Sequence, residues 1–428
     1  VEKPVVFVFH DHMPNIALIQ LISEQTMQNL LPILALKPGK AIHLVTEKTA
    51  SRAEHIIRAY HQSRLYFPSE EVPLSPMPSV QETHCSVVNC IELARSEGFS
   101  PVVNFTGGTK LMSIGAYQAA LEHQVVSFYI DTDNQIFLDG HTGPELSSVL
   151  GADYSFEPFS RSLTVNSIAV ANGRQRVTGG LPWKKYLPLA KYLLDHPKEE
   201  QAAWESMHGQ DGLCPNGREP KNMRGWGDLI SKKIEIPETI GLMACEYGIL
   251  CKKGGAFFLT KPVEGPVPDF EKAFDSMEAQ TRMRDHQTSK AIKQSAQFAL
   301  AFLSGAWWEV IVADFADRCG QFRDLRWSVN IGERFGGFDK EEDIVGVDGV
   351  QVAFFSCKRG GLKSRLVPLL DELDNRAKTI GGRFSRRFLA VYLEPMGKNK
   401  DHLFKRAKEL GIRIITKPDL ENLQFFDR

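Results

Sequence analysis

The feature that most constrains the fold of this chain is the repeated order of apolar strand and helix over its first 150 residues. Pro4 to His10 (PVVFVFH) reads as a continuous apolar strand, followed by the polar turn Asp11 to Asn15. Ile16 to Ile22 (IALIQLI) suits either a turn of helix or a strand buried on both faces. The strand is preferred, because Ser23-Glu24-Gln25-Thr26 then opens a helix with a capping serine. Lys40 to Thr46 forms a further strand, Glu47-Lys48-Thr49 a turn, and Ala50 to Tyr60 a helix. Val80 to Ser96, the strand Pro101 to Phe105, the helix Leu111 to His123 and the strand Val125 to Ile130 repeat the order. Such alternation predicts an open, doubly wound α/β domain, in which ligands sit beyond the carboxyl ends of the strands.

Unusual residues gather at those ends. Asn104-Phe105-Thr106-Gly107-Gly108-Thr109-Lys110 is a strand-to-helix turn whose glycines admit close backbone approach, while free amides at the helix start attract anions. Thr106, Thr109 and Lys110 add hydroxyls and a cation. The phosphate-binding pattern Gly-x-x-x-x-Gly-Lys-(Ser/Thr) is absent, and a plain tight turn is the competing explanation.

A different constellation lies in the last third. EEDIVGVDGVQVAFFSCKRG reads as strand, turn, strand: Ile344, Val345 and Val347, a break at Asp348-Gly349, then the apolar run Val350 to Phe355. Asp343 opens the first strand and Lys358 closes the second, so both heads fall at one end of a hairpin. Upstream, Trp308, Val312, Phe315 and Ala316 recur at helical spacing and put Glu309 on a helix. Two carboxylates and a lysine so arranged suit metal-assisted phosphodiester cleavage: the carboxylates hold hard divalent cations and the lysine stabilises charge developing on phosphorus. An ordinary surface hairpin fits the hairpin residues equally well. The order helix, strand, strand, helix favours the nuclease, and it continues with the helix Leu366 to Thr379, closed by Gly381-Gly382. The strand Arg387 to Leu393, the helix Asp401 to Leu410 stopped by Gly411, and the strand Ile412 to Thr416 complete it.

At 428 residues, with 43% hydrophobic and 24% charged residues and a net charge of −1, the chain should divide into two or three globular domains, each with its own core. Local basic clusters still matter: Lys358, Arg359, Lys363, Arg365, Arg376, Lys378, Arg383, Arg386 and Arg387 could track a phosphate backbone or form a solvated helix face. The 7 cysteines show no CxxC or zinc spacing, which predicts reduced thiols. No uninterrupted run of eighteen apolar residues and no signal peptide is seen, so a cytoplasmic protein without a membrane partner is expected. The start at Val1 suggests a processed or engineered terminus.

Between these regions, Leu181 to Leu194 is a plausible helix. Ile240 to Lys261 reads as helix, strand, Lys-Lys-Gly-Gly turn and strand, like a winged helix that either contacts nucleic acid or serves as a spacer. Gly209 to Gly227 reads as irregular loop and Pro262 to Pro268 as a boundary before a charged helix, Phe270 to Lys293.

The hairpin resembles the PD-(D/E)xK nuclease superfamily, with Glu309, Asp343 and Lys358 on the motif positions and Ser356 standing where the (D/E) is usual. Serine is a neutral, weaker ligand, so Glu309, Asp343 and a strand carbonyl, helped by Glu341, are expected to hold the metal. Glu372, Asp374 and Lys378 are either supports of the site or solvent-facing charges. SEQTMQN, TEKT and FTGGTK after successive strands resemble a CARF domain, the sensor of cyclic oligoadenylate in type III CRISPR defence. Together the two regions resemble the CRISPR ancillary nucleases activated by cyclic tetra-adenylate.

That resemblance implies residues 1–150 as sensor, 151–268 as linker with a winged-helix-like region and 269–428 as nuclease. It implies a cytoplasmic homodimer that binds one ring and cleaves DNA and/or RNA with Mn2+ or Mg2+ held by Glu309 and Asp343. Carried over by position, the ring contacts are Ser23, Glu24, Gln25, Thr26 and Asn29, then Thr46, Glu47, Lys48 and Thr49, then Thr106, Gly107, Gly108, Thr109 and Lys110. Glu24 and Glu47 suit a ribose or base rather than phosphate. If Ile16 to Ile22 were helical, the first contact turn would be Asp11 to Asn15. The alternatives are a non-catalytic regulator that binds nucleic acid, and a sensor that degrades its own ring.

Overall fold

A computed structural model of the protein describes residues 15–132, 134–174, 176–209, 212–214, 220, 223–259, 291, 293–332, 340–360, 366–382, 385–393 and 398–426. The expected strand Pro4 to His10 and most of the expected boundary and charged helix over 262–293 lie outside these residues.

The first sheet contains β1 (Ile16–Leu21), β2 (Lys40–Val45), β3 (Ser69–Pro73), β4 (Ser100–Asn104), β5 (Val126–Asp131) and β6 (Ile136–Asp139), in the order β3-β2-β1-β4-β5-β6. All pairings are parallel except β5 with β6. Ile16–Leu21 is therefore a strand, buried on both faces as its unbroken apolar run requires. Helices α1 (Met27–Leu36), α2 (Ala50–Gln62), α3 (Val80–Ser96) and α4 (Lys110–Glu122) connect the parallel strands. The chain leaves β1 toward β2 and β3, then returns to β4 on the other side, so the strand order reverses between β1 and β4. A crevice forms at such a point.

The expected serine cap is corrected. Helix α1 begins at Met27 with Thr26 at its N-cap and no side-chain cap bond. Ser23 is used in the preceding turn instead: its Oγ accepts from Gln25 N at 3.1 Å, and its own amide donates to Asn29 Oδ1 at 3.0 Å.

Helix α5 (Val165–Ala171) leads into β7 (Arg176–Leu181), an edge strand that pairs antiparallel with a strand about 150 residues later. The expected helix Leu181 to Leu194 starts later, as a 3-10 turn Trp183–Tyr186 and then α6 (Leu187–Asp195). Next come α7 (Pro197–His208), α8 (Met223–Ile230), α9 (Glu238–Glu246) and the short antiparallel pair β8 (Cys251–Lys253) and β9 (Ala256–Phe258). Helix, strand, glycine turn and strand thus occur as the sequence predicts.

Helix α10 (Trp307–Arg318) precedes the second sheet. That sheet is built from β7, β10 (Arg323–Gly332), β11 (Lys340–Asp348), β12 (Gln351–Lys358), β13 (Arg386–Val391) and β14 (Ile412–Thr416), in the order β14-β13-β12-β11-β10-β7. Strands β10, β11 and β12 are antiparallel, whereas β12, β13 and β14 are parallel. Helices α11 (Leu366–Gly381) and α12 (Lys398–Glu409) connect the parallel strands, with Gly382 (φ 79°) and Gly411 (φ 63°) just past their ends in the left-handed region.

The expectation of a separate core for each domain is corrected. One apolar cluster runs from Leu18, Leu30 and Ile56 through Val165 and Ile168 of α5 to Val345, Phe354, Leu370 and Leu389 of the second sheet. The other face of that sheet packs Ile344, Phe355 and Phe388 on Trp308, Trp226 and Leu189 of the helical region. Asp324 Oδ2 of β10 accepts from Val165 N at 2.8 Å and ties the start of α5 to the second sheet. Among the described residues, one helix, Lys293–Arg318, is long and apolar enough to cross a membrane, and 67% of its apolar window is buried inside the protein.

Candidate functional site

The carboxyl ends of β1, β2 and β4 open on a groove of about 720 Å3. Ser23, Glu24 and Gln25 line it from the first turn, Thr46, Lys48 and Thr49 from the second, and Gly108, Thr109 and Lys110 from the third. Three segments separated by some 85 residues of sequence therefore meet in one concavity. Thr109 is the N-cap of α4, its Oγ1 accepting from Met112 N at 3.3 Å, so the first amides of that helix face the groove end. In the second turn, Thr49 Oγ1 accepts from Thr46 N at 3.0 Å.

Five of the expected contacts are absent from this lining. Thr26 is buried and donates to Asn172 Oδ1 at 3.1 Å, while buried Asn29 donates to the Leu21 carbonyl at 2.8 Å. Thr106 Oγ1 accepts from Ile130 N at 2.7 Å. At Gly107 an added Cβ would stand 2.0 Å from the Leu21 carbonyl oxygen, so this glycine serves the close approach of two backbones. Glu47 is exposed and is not part of the groove lining. The sequence reading missed Pro76, Met77 and Pro78, which form the outer wall. A methionine between two prolines was the available signal, and in the structure Met77 is 90% exposed.

Polar side chains run beneath the groove through the middle of the sheet. Gln20 and His43 are fully buried and meet at 3.2 Å, and Asn104 donates to the Gln28 carbonyl at 2.9 Å. Burial pushes the His43 imidazole down to about 4.

The second constellation forms where β11 and β12 end beside α10. Asp343 Oδ2 accepts from Cys357 N at 2.6 Å and from Lys358 Nζ at 3.1 Å. The hairpin therefore brings the two heads together, as their fifteen-residue separation predicts. Glu309 Oε2 accepts from Trp327 Nε1 at 2.7 Å. Tight packing around the Glu309 carboxyl raises it well above its ordinary value, and the charge of Asp343 raises it further; the Trp327 hydrogen bond and Lys358 oppose this only in part. For Lys358, burial lowers the ammonium value but neighbouring Asp343 outweighs it, leaving a net rise. These mutual effects bring Glu309, Asp343 and Lys358 into one electrostatic unit.

Ser356 and Lys358, two apart on β12, open with Asp343 onto a cavity of about 110 Å3. Glu342, Glu372 and Arg376 also line it. Glu341 accepts from Ser328 Oγ at 2.7 Å, and its charge also reaches Glu309. Among the described residues, no group of three or more His, Cys, Asp or Glu side chains is placed to hold a metal ion. Two carboxylates and a hydroxyl nevertheless fit a magnesium-like ion, which keeps several waters and takes only one or two carboxylates.

The basic cluster is mostly engaged in structure. Arg359 pairs with Glu200 at 2.5 Å, Arg376 with Glu342 at 2.8 Å and Lys378 with Asp374 at 2.6 Å, while Arg386 and Arg387 bond Asp348 and Asp374. Lys363, Arg365 and Arg383 lie outside the described residues. Asp374 therefore anchors cations rather than supporting the hairpin.

Residues 17–143 match the family model of the Card1 CARF domain. No curated protein matches the sequence. Among solved structures, the chain is similar to Can2 from Sulfobacillus thermosulfidooxidans in complex with cyclic tetra-adenylate, at 15% identity over 96% of both chains and a TM-score of 0.63. Protein VC1899 from Vibrio cholerae aligns over 96% of both chains at 12% identity and a TM-score of 0.65. A type III CRISPR defence DNA nuclease activated by cyclic oligoadenylate aligns with 96% of this chain and 52% of its own length, at 14% identity and a TM-score of 0.51. At such identities the likeness is one of fold. With its three turns gathered around the β1/β4 crevice, the N-terminal domain of this chain is a CARF domain of the Card1 type.

Proposed function

We propose that this protein is a metal-dependent nuclease switched on by cyclic tetra-adenylate, acting on DNA and/or RNA as a homodimer in type III CRISPR defence. The observation that carries the reading is the contact of Lys358 with Asp343 at 3.1 Å, with Glu309 close enough to feel the charge of both. The arrangement supports a PD-(D/E)xK-like core in the C-terminal sheet.

Glu309 and Asp343 would hold a magnesium or manganese ion. When bound, such an ion neutralises phosphate charge and makes water a better nucleophile at neutral pH. Lys358, kept charged by Asp343, stabilises the negative charge that builds on the phosphoryl oxygens. Trp327 fixes the Glu309 carboxylate, and the Cys357 amide fixes Asp343, so both are oriented before substrate arrives. Lys110, Thr109 and the first amides of α4 bind ring phosphate, while Met77 and Leu111 offer apolar surface to a purine.

The dimer is supported by α4, where Leu111, Ile114 and Leu121 are 53%, 46% and 49% exposed. Helix α9 with the β8–β9 pair, whose turn carries Lys252 and Lys253, is the surface we assign to nucleic-acid contact in a winged-helix manner.

Cleavage of plasmid, single-stranded DNA and RNA with Mn2+, with and without cyclic tetra-adenylate, tests this reading. Ring-dependent cutting that disappears in Asp343→Asn supports it. Ser356 in place of an acidic ligand favours the second reading, a non-catalytic regulator; absence of cutting under every condition, with the ring still bound, selects it. Loss of intact ring without metal would instead assign ring degradation to the groove.

A further inference from the structure

Beyond Phe355, strand β12 is paired along one side. Its ladder with β11 ends at Phe355, after which the β11 side contributes the Asp343 carboxylate on the Cys357 amide. On the other side β13 pairs with Ser356, Cys357 and Lys358. The Lys358 and Arg359 carbonyls then accept from Tyr392 N at 3.0 Å and Leu393 N at 2.8 Å. Lys358 thus stands at the end of a strand whose backbone is held from a single neighbour.

Arg359 supplies a second hold, from the opposite face. Successive side chains of a strand alternate, so Lys358 turns to Asp343 while Arg359 turns to the helical region. Its guanidinium takes both carboxylate oxygens of Glu200 in α7, Nε to Oε1 at 2.5 Å and Nη2 to Oε2 at 2.8 Å. It also donates to Gln201 Oε1 at 2.9 Å and lies over the Trp204 ring, 4.8 Å from the centroid. The Arg359 and Glu200 side chains are only 11% and 3% exposed. The stem of Arg359 packs on Gly305, where an added Cβ would stand 3.2 Å from Arg359 Cβ. Gly305, with φ 152°, belongs to the irregular turn Phe302–Ala306 that leads directly into α10 and Glu309. One side chain therefore touches α7 and the turn before Glu309 from the position next to Lys358.

A buried ion pair adds little net stability over well-packed apolar residues, because desolvation of both charges offsets their attraction. A bidentate, stacked guanidinium does fix direction. We propose that Arg359, clamped by Glu200, is a positioning residue of the nuclease, holding Lys358 and Glu309 in register with Asp343 from the helical region. The assignment rests on the nuclease reading. Neither Arg359 nor Glu200 touches substrate; the pair acts through the backbone of β12 and the turn before α10.

The test uses the full-length protein with Mn2+ and cyclic tetra-adenylate, with kcat and KM measured on whichever of plasmid, single-stranded DNA or RNA the wild type cuts. Rates are taken per ring-competent protein, counted by calorimetric titration of the ring. Glu200→Met with Arg359→Met removes both charges together, so thermal stability is expected to stay at the wild-type level. Its kcat is expected to fall about 10- to 100-fold with KM within about 2-fold of wild type, as misplacement of reacting groups does. Arg359→Lys keeps a charge opposite Glu200 but loses the fork and the stack, and its kcat is expected to fall about 10-fold.

A purely structural pair gives a different result: cleavage that follows thermal stability, with a stable double variant as fast as wild type. That outcome overturns the assignment. If the double variant loses stability, Arg359→Lys decides, and a wild-type kcat there overturns it equally. In either case wild type still cuts, and the nuclease reading stands. If wild type cuts nothing with ring and metal present, the nuclease reading fails and the positioning role with it.

Discussion

Thr26 Oγ1 donates to Asn172 Oδ1 at 3.1 Å, joining the first turn of the sensor groove to the end of the helix that carries the apolar core into the second sheet. Asn172 also donates to the Ile168 carbonyl at 2.9 Å and lines, with Gln25 and Thr26, a narrow gap against Val350 and Gln351 of the β11–β12 turn. The groove and the hairpin that carries Asp343 thus share one small neighbourhood. A ligand shifts an equilibrium only by its differential affinity for two states, and this contact is well placed to differ between them.

Thr26→Val and Asn172→Ala are accordingly expected to leave ring affinity within about 3-fold of wild type while lowering ring-stimulated cleavage about 5-fold, since one hydrogen bond contributes roughly 1 kcal/mol. Calorimetry of ring binding, set against cleavage rates, separates the two effects. The double variant should lose no more than the worse single one. Additive losses would mean that the two residues act independently.

Lys110 provides the cation of the third turn of the groove. Lys110→Ala is expected to weaken ring binding about 10- to 100-fold, corresponding to loss of a charge-assisted hydrogen bond of roughly 1.5–3 kcal/mol. The salt dependence of the remaining affinity should also be shallower. An unchanged dissociation constant would remove Lys110 from the phosphate site.

Gly107→Ala probes the floor of the same turn. Its new Cβ would stand 2.0 Å from the Leu21 carbonyl oxygen, and a backbone oxygen in a central strand has nowhere to go. We expect a loss of about 1–3 kcal/mol in stability, typical of overpacking, together with loss of ring binding. Denaturant unfolding followed by ring titration checks both.

His43 gives the sensor a pH dependence. Its folded value of about 4 lies below the ordinary 6.5, so the unfolded chain takes up a proton that the folded chain refuses. The resulting stability is fully present above 6.5 and is lost as pH falls through 4. Between pH 7 and pH 5 this amounts to about 2 kcal/mol. His43→Gln, which keeps a polar partner for Gln20, should flatten that part of the profile in denaturant unfolding. A variant whose slope matches wild type would assign the acid sensitivity elsewhere.

Much of this architecture can be read along the chain because it depends on short-range pattern. The unbroken apolar run of Ile16–Leu21 identifies a strand covered on both faces, and the threonine-glycine turn before Lys110 marks a helix start beyond a strand. The antiparallel hairpin fixes the meeting of Asp343 and Lys358, because a tight turn at Gly349 leaves the register no freedom. Strand β10 escaped notice because a bulge between Arg323 and Arg326, with positive φ at Asp324 and Ser328, breaks the period of two. Strand β3 escaped because a largely exposed edge strand, SEEVP, carries no apolar alternation.

What the sequence determined by itself, then, is the set of local conformations and the pairs of residues that one turn or one hairpin brings together. Only the tertiary structure decided that Glu309 joins Asp343, that Glu372 faces Ser356 across a cavity, and that Thr26 reaches Asn172. Those meetings depend on how helices dock on sheets across a shared apolar core, and burial is non-directional: it drives the docking without recording, in the spacing of residues, which polar groups it will bring into contact.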